Sequence, residues 1–160
     1  MNIILPIKPK YVSKILDGSK RYEYRRVVPV AYHLEYFVEQ SCFNDCIYVE
    51  DNILIYETSP IKKIVACTKV CEVHMLRVPK LWEATKDYAG ISKDDFYDYF
   101  FGKDFGYAIE LFDVLKFDNY VDIKDFGMSI PQNFVYVNNK TYRDIVFRGL
   151  NHNEKGKIYF

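Results

Sequence analysis

A chain of 160 residues and 19.0 kDa, 49% hydrophobic and 28% charged, can bury one substantial core, which excludes a disordered chain and a two-domain enzyme. Its 22 basic residues balance 22 acidic ones, which excludes a uniformly basic polyanion binder. An aromatic share of 18%, with Tyr 15 and Phe 12 against one Trp, exceeds what such a core needs and puts some rings on the surface.

In chain order, residues 2–7 form a short apolar run that predicts a strand, with Pro6 at an edge or end. Pro9 then opens a helix whose apolar positions Val12, Ile15 and Leu16 share one side and whose end is capped by Gly18. Lys10 and Lys14 fall on its exposed face. From Lys20 the period becomes two, with Tyr22 and Tyr24 on one side of a strand and Arg21, Glu23 and Arg25 on the other. Residues 28–51 have no clean period and read as an insertion with a short helix around 31–40. Asn52–Thr58 and Ile61–Met75 predict two strands broken at Ser59-Pro60. Pro79 opens a second helix running through Trp82 and Thr85 to Tyr88 and ending near Gly90. Ser92 and Asp95 form a capping box for a third helix carrying Phe96, Tyr99 and Phe100, ended by Gly102. Gly106–Val114 predicts another strand, and Phe134–Val137 a further one after the turn at 129–132. Many short strands with two or three helical excursions indicate an α+β barrel. The last two dozen residues read as a semi-detached tail.

The four cysteines form two C-x3-C pairs, Cys42 with Cys46 and Cys67 with Cys71. Cys67 and Cys71 lie in a β-branched strand, where four residues separate them by about 13 Å, too far for one metal ion. Buried or free thiols in a reducing compartment are the simpler reading, and no metal or cofactor is expected. His33, His74 and His152 are scattered, and the glycines are isolated, so neither protease-type catalysis nor a phosphate-cradling loop is indicated. No stretch approaches the roughly 18–20 apolar residues of a membrane span, and the N-terminus lacks the order of a signal peptide. The expectation is a cytoplasmic chain with no membrane partner.

Charge is unevenly spread. Residues 1–26 carry seven basic residues, Lys8, Lys10, Lys14, Lys20, Arg21, Arg25 and Arg26, against Asp17 and Glu23, whereas residues 84–125 carry ten acids against five lysines. If the first segment folds into one surface, a neutral molecule can still bind phosphates there; two ordinary solvated faces would give the same count.

Residues 15–26, Ile-Leu-Asp-Gly-Ser-Lys-Arg-Tyr-Glu-Tyr-Arg-Arg, resemble the signature of the ASCH family of PUA-like β-barrels, in which a helix ends in Gly-x-Lys and a strand bearing Glu-x-Arg follows. Gly18, Lys20, Glu23 and Arg25 occupy those positions. Residues 55–60, the Lys62-Lys63 strand, Trp82, residues 90–100, 106–109 and 130–134 look like successive blocks of a bacterial and phage branch of that family. The resemblance implies a mixed, partly open β-barrel with two to three flanking helices over residues 1–137, interrupted by the insertion at 28–51 and followed by a C-terminal extension, 138–160. It also implies a cleft suited to RNA or a modified nucleoside.

In that reading Lys8, Lys10, Lys20 and Arg21 neutralise phosphates, Arg25 presents a planar fork to a phosphate or base edge, and Arg26 adds charge beside it. Glu23 orients Arg25 or accepts from an exocyclic amine or sugar hydroxyl. Tyr22, Tyr24 and Tyr56 are candidates for stacking on unpaired bases, and Ser59 and Gln132 are further ligand-binding candidates. Glu23 and Arg25 also fit a structural ion pair, and the tyrosines a core. Whether the chain is an enzyme stays open. Amidohydrolase-like relatives use a lysine at the position of Lys20, a hydroxyl residue on the next strand and a glutamate from the later helix. Here Glu23 stands where the hydroxyl residue would be and Asp94 or Asp95 where the glutamate would be, giving Lys20, Glu23 and Asp95 as the catalytic candidates for an amidohydrolase or ribonuclease. Asp95 has a second explanation as a capping residue. A third reading is a protein-interaction module that uses the acidic 84–125 surface.

Overall fold

The computed structural model describes residues 1–27, 51–130 and 132–150. The helix expected around 31–40, like the rest of the insertion before Asp51, lies outside the described residues. The elements run β1 (Asn2–Ile7), α1 (Pro9–Leu16), β2 (Tyr22–Arg25), β3 (Asn52–Glu57), β4 (Lys63–Arg77), α2 (Val78–Thr85), a 3-10 turn (Lys86–Tyr88), α3 (Lys93–Tyr99), β5 (Phe105–Val121), a second 3-10 turn (Ile123–Phe126), β6 (Val135–Val137) and α4 (Asn139–Gly149). They build one mixed six-stranded sheet in the order β2-β5-β4-β3-β1-β6, with β1 and β3 parallel and the other pairs antiparallel.

The apolar runs of β1 and β3 explain their central place. Ile3, Ile4 and Leu5 and, in register, Ile53, Leu54 and Ile55 are at most 1% exposed, so both parities of each strand are buried and both faces of the sheet are covered. On one face Ile3, Leu5, Ile53 and Ile55 pack with Val12 and Ile15 of α1. On the other, Ile4, Leu54 and Tyr56 pack with Phe117 and with Ile145 and Val146 of α4. A third cluster joins Tyr24 and Ala108 to Leu81 and Trp82 of α2 and Phe96 of α3. Each such fully buried aliphatic side chain contributes about 1.5–3 kcal/mol of transfer free energy.

The long hairpin β4/β5 bends because its register slips three times; between Ile64↔Val121 and Ala66↔Lys116 the second strand carries the extra residues of a bulge. The strand predicted at 61–75 keeps its length but sits two residues later, at Lys63–Arg77, whereas the one predicted at 106–114 extends to Phe105–Val121.

Two expectations are corrected. The sheet is open rather than barrel-like: β2 has four residues and β6 three, too few to zip together, and among the described residues no ladder joins them. What crosses the gap is a side chain, the Arg25 guanidinium, whose Nη2 donates to the Pro6 carbonyl at 2.8 Å. Pro6 lies past the end of β6, which pairs only with Asn2–Ile4, so the missing proline N–H costs no ladder bond on that side.

The expected tail is the second correction, and the described residues hold four α-helices. Residues 139–149 form α4, capped by Asn138, whose side chain accepts from the Thr141 N–H at 2.8 Å. Its apolar stripe, Tyr142, Ile145, Val146 and Gly149, is one narrow line at helical spacing in an otherwise polar segment. Residues 151–160 lie outside the described residues. At Gly149 the helix touches the sheet so closely that a Cβ would stand 2.2 Å from the Phe117 ring. Gly149→Ala is therefore expected to cost about 1–3 kcal/mol in urea unfolding, and an unchanged midpoint would refute this contact.

Candidate functional site

The site begins where α1 ends. The Gly18 N–H returns to the Ile15 carbonyl at 3.2 Å and the Lys20 N–H to the Lys14 carbonyl at 2.9 Å, turning the chain sharply into β2. The turn sends the Lys20 side chain inward, where it is 3% exposed. Its stem runs along Gly90, and its ammonium donates to the carbonyls of Tyr22 at 2.5 Å and Ala89 at 2.9 Å. The ammonium also stands 4.7 Å from the centre of the Tyr24 ring and 3.9 Å from Glu23 Oε2. Glu23 Oε1 in turn lies 3.1 Å from Arg25 Nη2, the same nitrogen that reaches Pro6. Arg25 Nε is buried and makes no hydrogen bond.

Two cations thus share one buried carboxylate, leaving a net positive charge in a low-dielectric setting. Burial pulls the Lys20 ammonium down from its ordinary value to about 8; Glu23 opposes the shift, while Arg25 and Lys14 add to it. At pH 7 such a group is still roughly nine-tenths protonated, so Lys20 acts there as a cationic donor. In a 13C-detected titration the Lys20 Cε resonance is expected to move with a midpoint near 8; a midpoint above about 10 would mean that the ammonium is solvated.

These groups floor a cleft of about 160 Å³ between the β2 edge, the start of α1 and the loop before α3. Tyr11, Tyr24 and Tyr99 give it aromatic walls, and Ile7 and Ile91 apolar ones. The Tyr24 hydroxyl is already engaged: Thr85 donates to the Leu81 carbonyl at 2.6 Å, which leaves its oxygen to accept from Tyr24 at 2.7 Å. Burial raises the Tyr24 phenol to about 12.

Of the residues proposed from sequence, Lys8, Lys20, Glu23, Tyr24 and Arg25 line this cleft. Lys10, 4.7 Å from the Tyr11 ring centre, and Arg21, 4.0 Å from that of Tyr88, lie outside the lining on exposed faces. Arg26 is exposed and donates to the carbonyl of the wall residue Tyr99. Tyr56 is corrected: it shares the parity of Leu54 and is buried against Phe117 on the opposite face. Tyr22 faces His74, with ring centres 5.8 Å apart. Ser59, in the turn after β3, and Gln132, ahead of β6, are exposed and not part of the lining. Asp95 is exposed, and its N–H donates to Ser92 Oγ at 3.1 Å, so the helix cap uses it and the cleft does not. Cys67 and Cys71 are free thiols on β4, buried and exposed respectively; Cys42 and Cys46 lie outside the described residues.

Sequence reasoning missed Tyr11, Tyr99, Ile91 and above all Gly90. The only local signals were an aromatic beside Lys10, an aromatic on the third helix and a glycine read as a helix stop.

No family model and no curated protein matches the chain. Solved structures do. The ASCH protein of Zymomonas mobilis superposes with a TM-score of 0.75 at 19% identity, covering 91% of this chain and 93% of that one. This protein has the fold of an ASCH domain. The N-terminal domain of Staphylothermus marinus McrB is more distant, at TM-score 0.56 and 17% identity over 92% of this chain and 94% of that one. A Pseudomonas putida protein follows at 0.52 and 13%, over 94% and 100%. Within the ASCH fold of this chain, the Lys20–Glu23–Arg25 group sits at the open side of the sheet, where Arg25 bridges to Pro6. No helix among the described residues is long and apolar enough to cross a membrane.

Proposed function

We propose that the cleft of this ASCH-type domain binds a single unpaired nucleobase, presented by a single-stranded RNA or as a modified nucleoside. The observation that carries the reading is the buried Lys20–Glu23–Arg25 group, which offers cationic donors and one acceptor beside tyrosine walls in a cleft of about 160 Å³. That volume admits one planar heterocycle and not a helix. Unpaired bases are recognised in this way, by stacking on rings while their edges meet donors and acceptors. Arg25, a lining residue whose Nε is buried and unpartnered, is the donor to a base oxygen or ring nitrogen, and Glu23 takes an exocyclic amine or ring N–H. Lys20 is too deeply held to touch a phosphate, so the phosphate contacts fall to Lys8 at the rim and to the exposed Lys10, Arg21 and Arg26. Tyr11 and Tyr99 take the stacking role expected of Tyr22 and Tyr56.

The test is fluorescence anisotropy with a labelled single-stranded RNA of mixed sequence. Arg25→Ala is expected to weaken binding at least about tenfold, while Lys8→Ala lowers the salt slope by about 0.7. Equal affinity of wild type and Arg25→Ala would overturn the assignment.

A hydrolytic reading is favoured by one observation, a buried lysine pulled to about 8 beside a carboxylate 3.9 Å away. Chromatography of acylated cytidines and of RNA incubated with the protein separates the two. Product formed by wild type and lost in a folded Lys20→Met variant makes the domain an enzyme; binding without product makes it a reader.

A further inference from the structure

On the face of the sheet opposite Glu23, β4 and β5 bring a second set of polar groups together. Glu72 of β4 stands directly across from Glu110 of β5, and Glu110 directly across from Tyr22 of β2. His74, two residues beyond Glu72, lies on the same side, with Nδ1 3.8 Å from Glu72 Oε1 and Nε2 3.9 Å from Glu110 Oε2. One donor atom from each of Glu72, His74 and Glu110 lies within 4.8 Å of the others.

Two features of this arrangement call for a cation. Like charges directly opposed across a ladder destabilise it, and His74 is the basic side chain that the described residues place within 4 Å of both Glu72 and Glu110. The His74 Nε2 atom is buried and has no hydrogen bond, although it points toward a carboxylate, which is the arrangement of an imidazole lacking its electrophile. Tyr22 closes the row on the third strand, across from Glu110 and edge-on to the His74 ring with centres 5.8 Å apart.

We infer that Glu72, His74 and Glu110 form a binding site for a divalent transition-metal ion, with zinc the representative of its class. One imidazole and two carboxylates are a borderline donor set that suits such an ion better than magnesium or calcium, which prefer oxygen alone. Zinc needs its donors at about 2.0–2.2 Å. Reaching that from the observed spacing takes only rotation of the two glutamate stems, whose side chains are 62% and 25% exposed. The imidazole is the fixed ligand, held on its strand and edge-on to the Tyr22 ring. Three protein ligands leave a position for water, and the ion clamps β4 to β5.

Calorimetric titration of zinc into the full chain, after treatment with chelator, tests this. Wild type is expected to bind one ion. Affinity should fall at least about tenfold in His74→Gln and again in Glu72→Gln, the latter at an exposed position that leaves folding intact. Circular dichroism verifies the fold of each variant. Cobalt in place of zinc reports the ligands: weak d–d bands alone agree with nitrogen and oxygen donors, whereas an intense thiolate charge-transfer band assigns the ion to cysteine and overturns the site. No binding by wild type, or binding undiminished in both variants, overturns it as well.

Discussion

Replacing Glu23 with alanine is expected to destabilise the protein by about 3–5 kcal/mol at pH 6, because it strands the buried Lys20 ammonium and the partly buried Arg25 guanidinium, which share this one carboxylate. The pH dependence separates this cause from simple loss of packing. In the folded protein Lys20 titrates at about 8, below its ordinary 10.5, and Glu23 is what keeps it from falling further. The unfolded chain therefore binds more protons than the folded one between the two values, and stability gains from this group as pH rises through that window. Without Glu23 the folded value drops and the window widens downward. The penalty of Glu23→Ala should thus be largest below the lowered value, shrink as pH rises toward 8, and stay level above it. Urea unfolding of both proteins at pH 6 and pH 9 measures this; a penalty equal at the two pH values would mean that Glu23 does not hold the Lys20 charge.

Gly90→Ala should be nearly as damaging, for two separable reasons. Gly90 has φ +63°, a conformation costing an L-residue about 1–2 kcal/mol. In addition, a Cβ there would sit 2.4 Å from Lys20 Cβ, close to the rigid root of that side chain, an overlap worth about 1–3 kcal/mol more. Gly102 supplies the control. Its φ is +75°, and a Cβ added there would meet no atom within 4 Å, so Gly102→Ala bears the backbone cost alone. The difference between the two variants isolates the contact with Lys20. Equal losses would show that the contact is relieved, and RNA affinity unchanged in Gly90→Ala would separate the cleft from the loop that shapes it.

Much of the fold is legible in the chain because its signals are local. Pro9 at the first turn, the return bond of Gly18, and the change to period two after Lys20 fix α1 and β2 within a short stretch of sequence, and Lys20, Glu23 and Arg25 reach the cleft together for that reason. What the sequence hides is set by distant partners. Tyr56 reads as one more tyrosine, and only its register beside Leu54, across from Ile64 after a slip at Ile55, turns it to the far face. Tyr99 and Gly90 enter the site because α3 and its preceding loop fold back over β2, which no local pattern announces. The α4 stripe is too narrow to outweigh its polar neighbours, and Ile145 is buried only because Phe117 is there to meet it. Glu72 and His74 carry an i, i+2 spacing found in any strand, and their third member, Glu110, is supplied by pairing with β5. Barrel closure, too, depends on strand lengths that turn signals alone do not set.

The anchorage of Lys20 is made from main chain: its ammonium is held by the carbonyl oxygens of Tyr22 and Ala89, which every amino acid possesses. Substitution at those two positions alters the neighbouring side chains but leaves the oxygens in place, so mutational drift there does not erode the grip on the charge. The vulnerability lies instead at Gly90, which contributes no atom to the grip and yet is the position that the stem cannot share. Among related sequences, variation is accordingly expected at position 22 and very little at 90, while Ala89, buried in the cluster with Trp82 and Phe96, is held small by packing and not by the grip on Lys20.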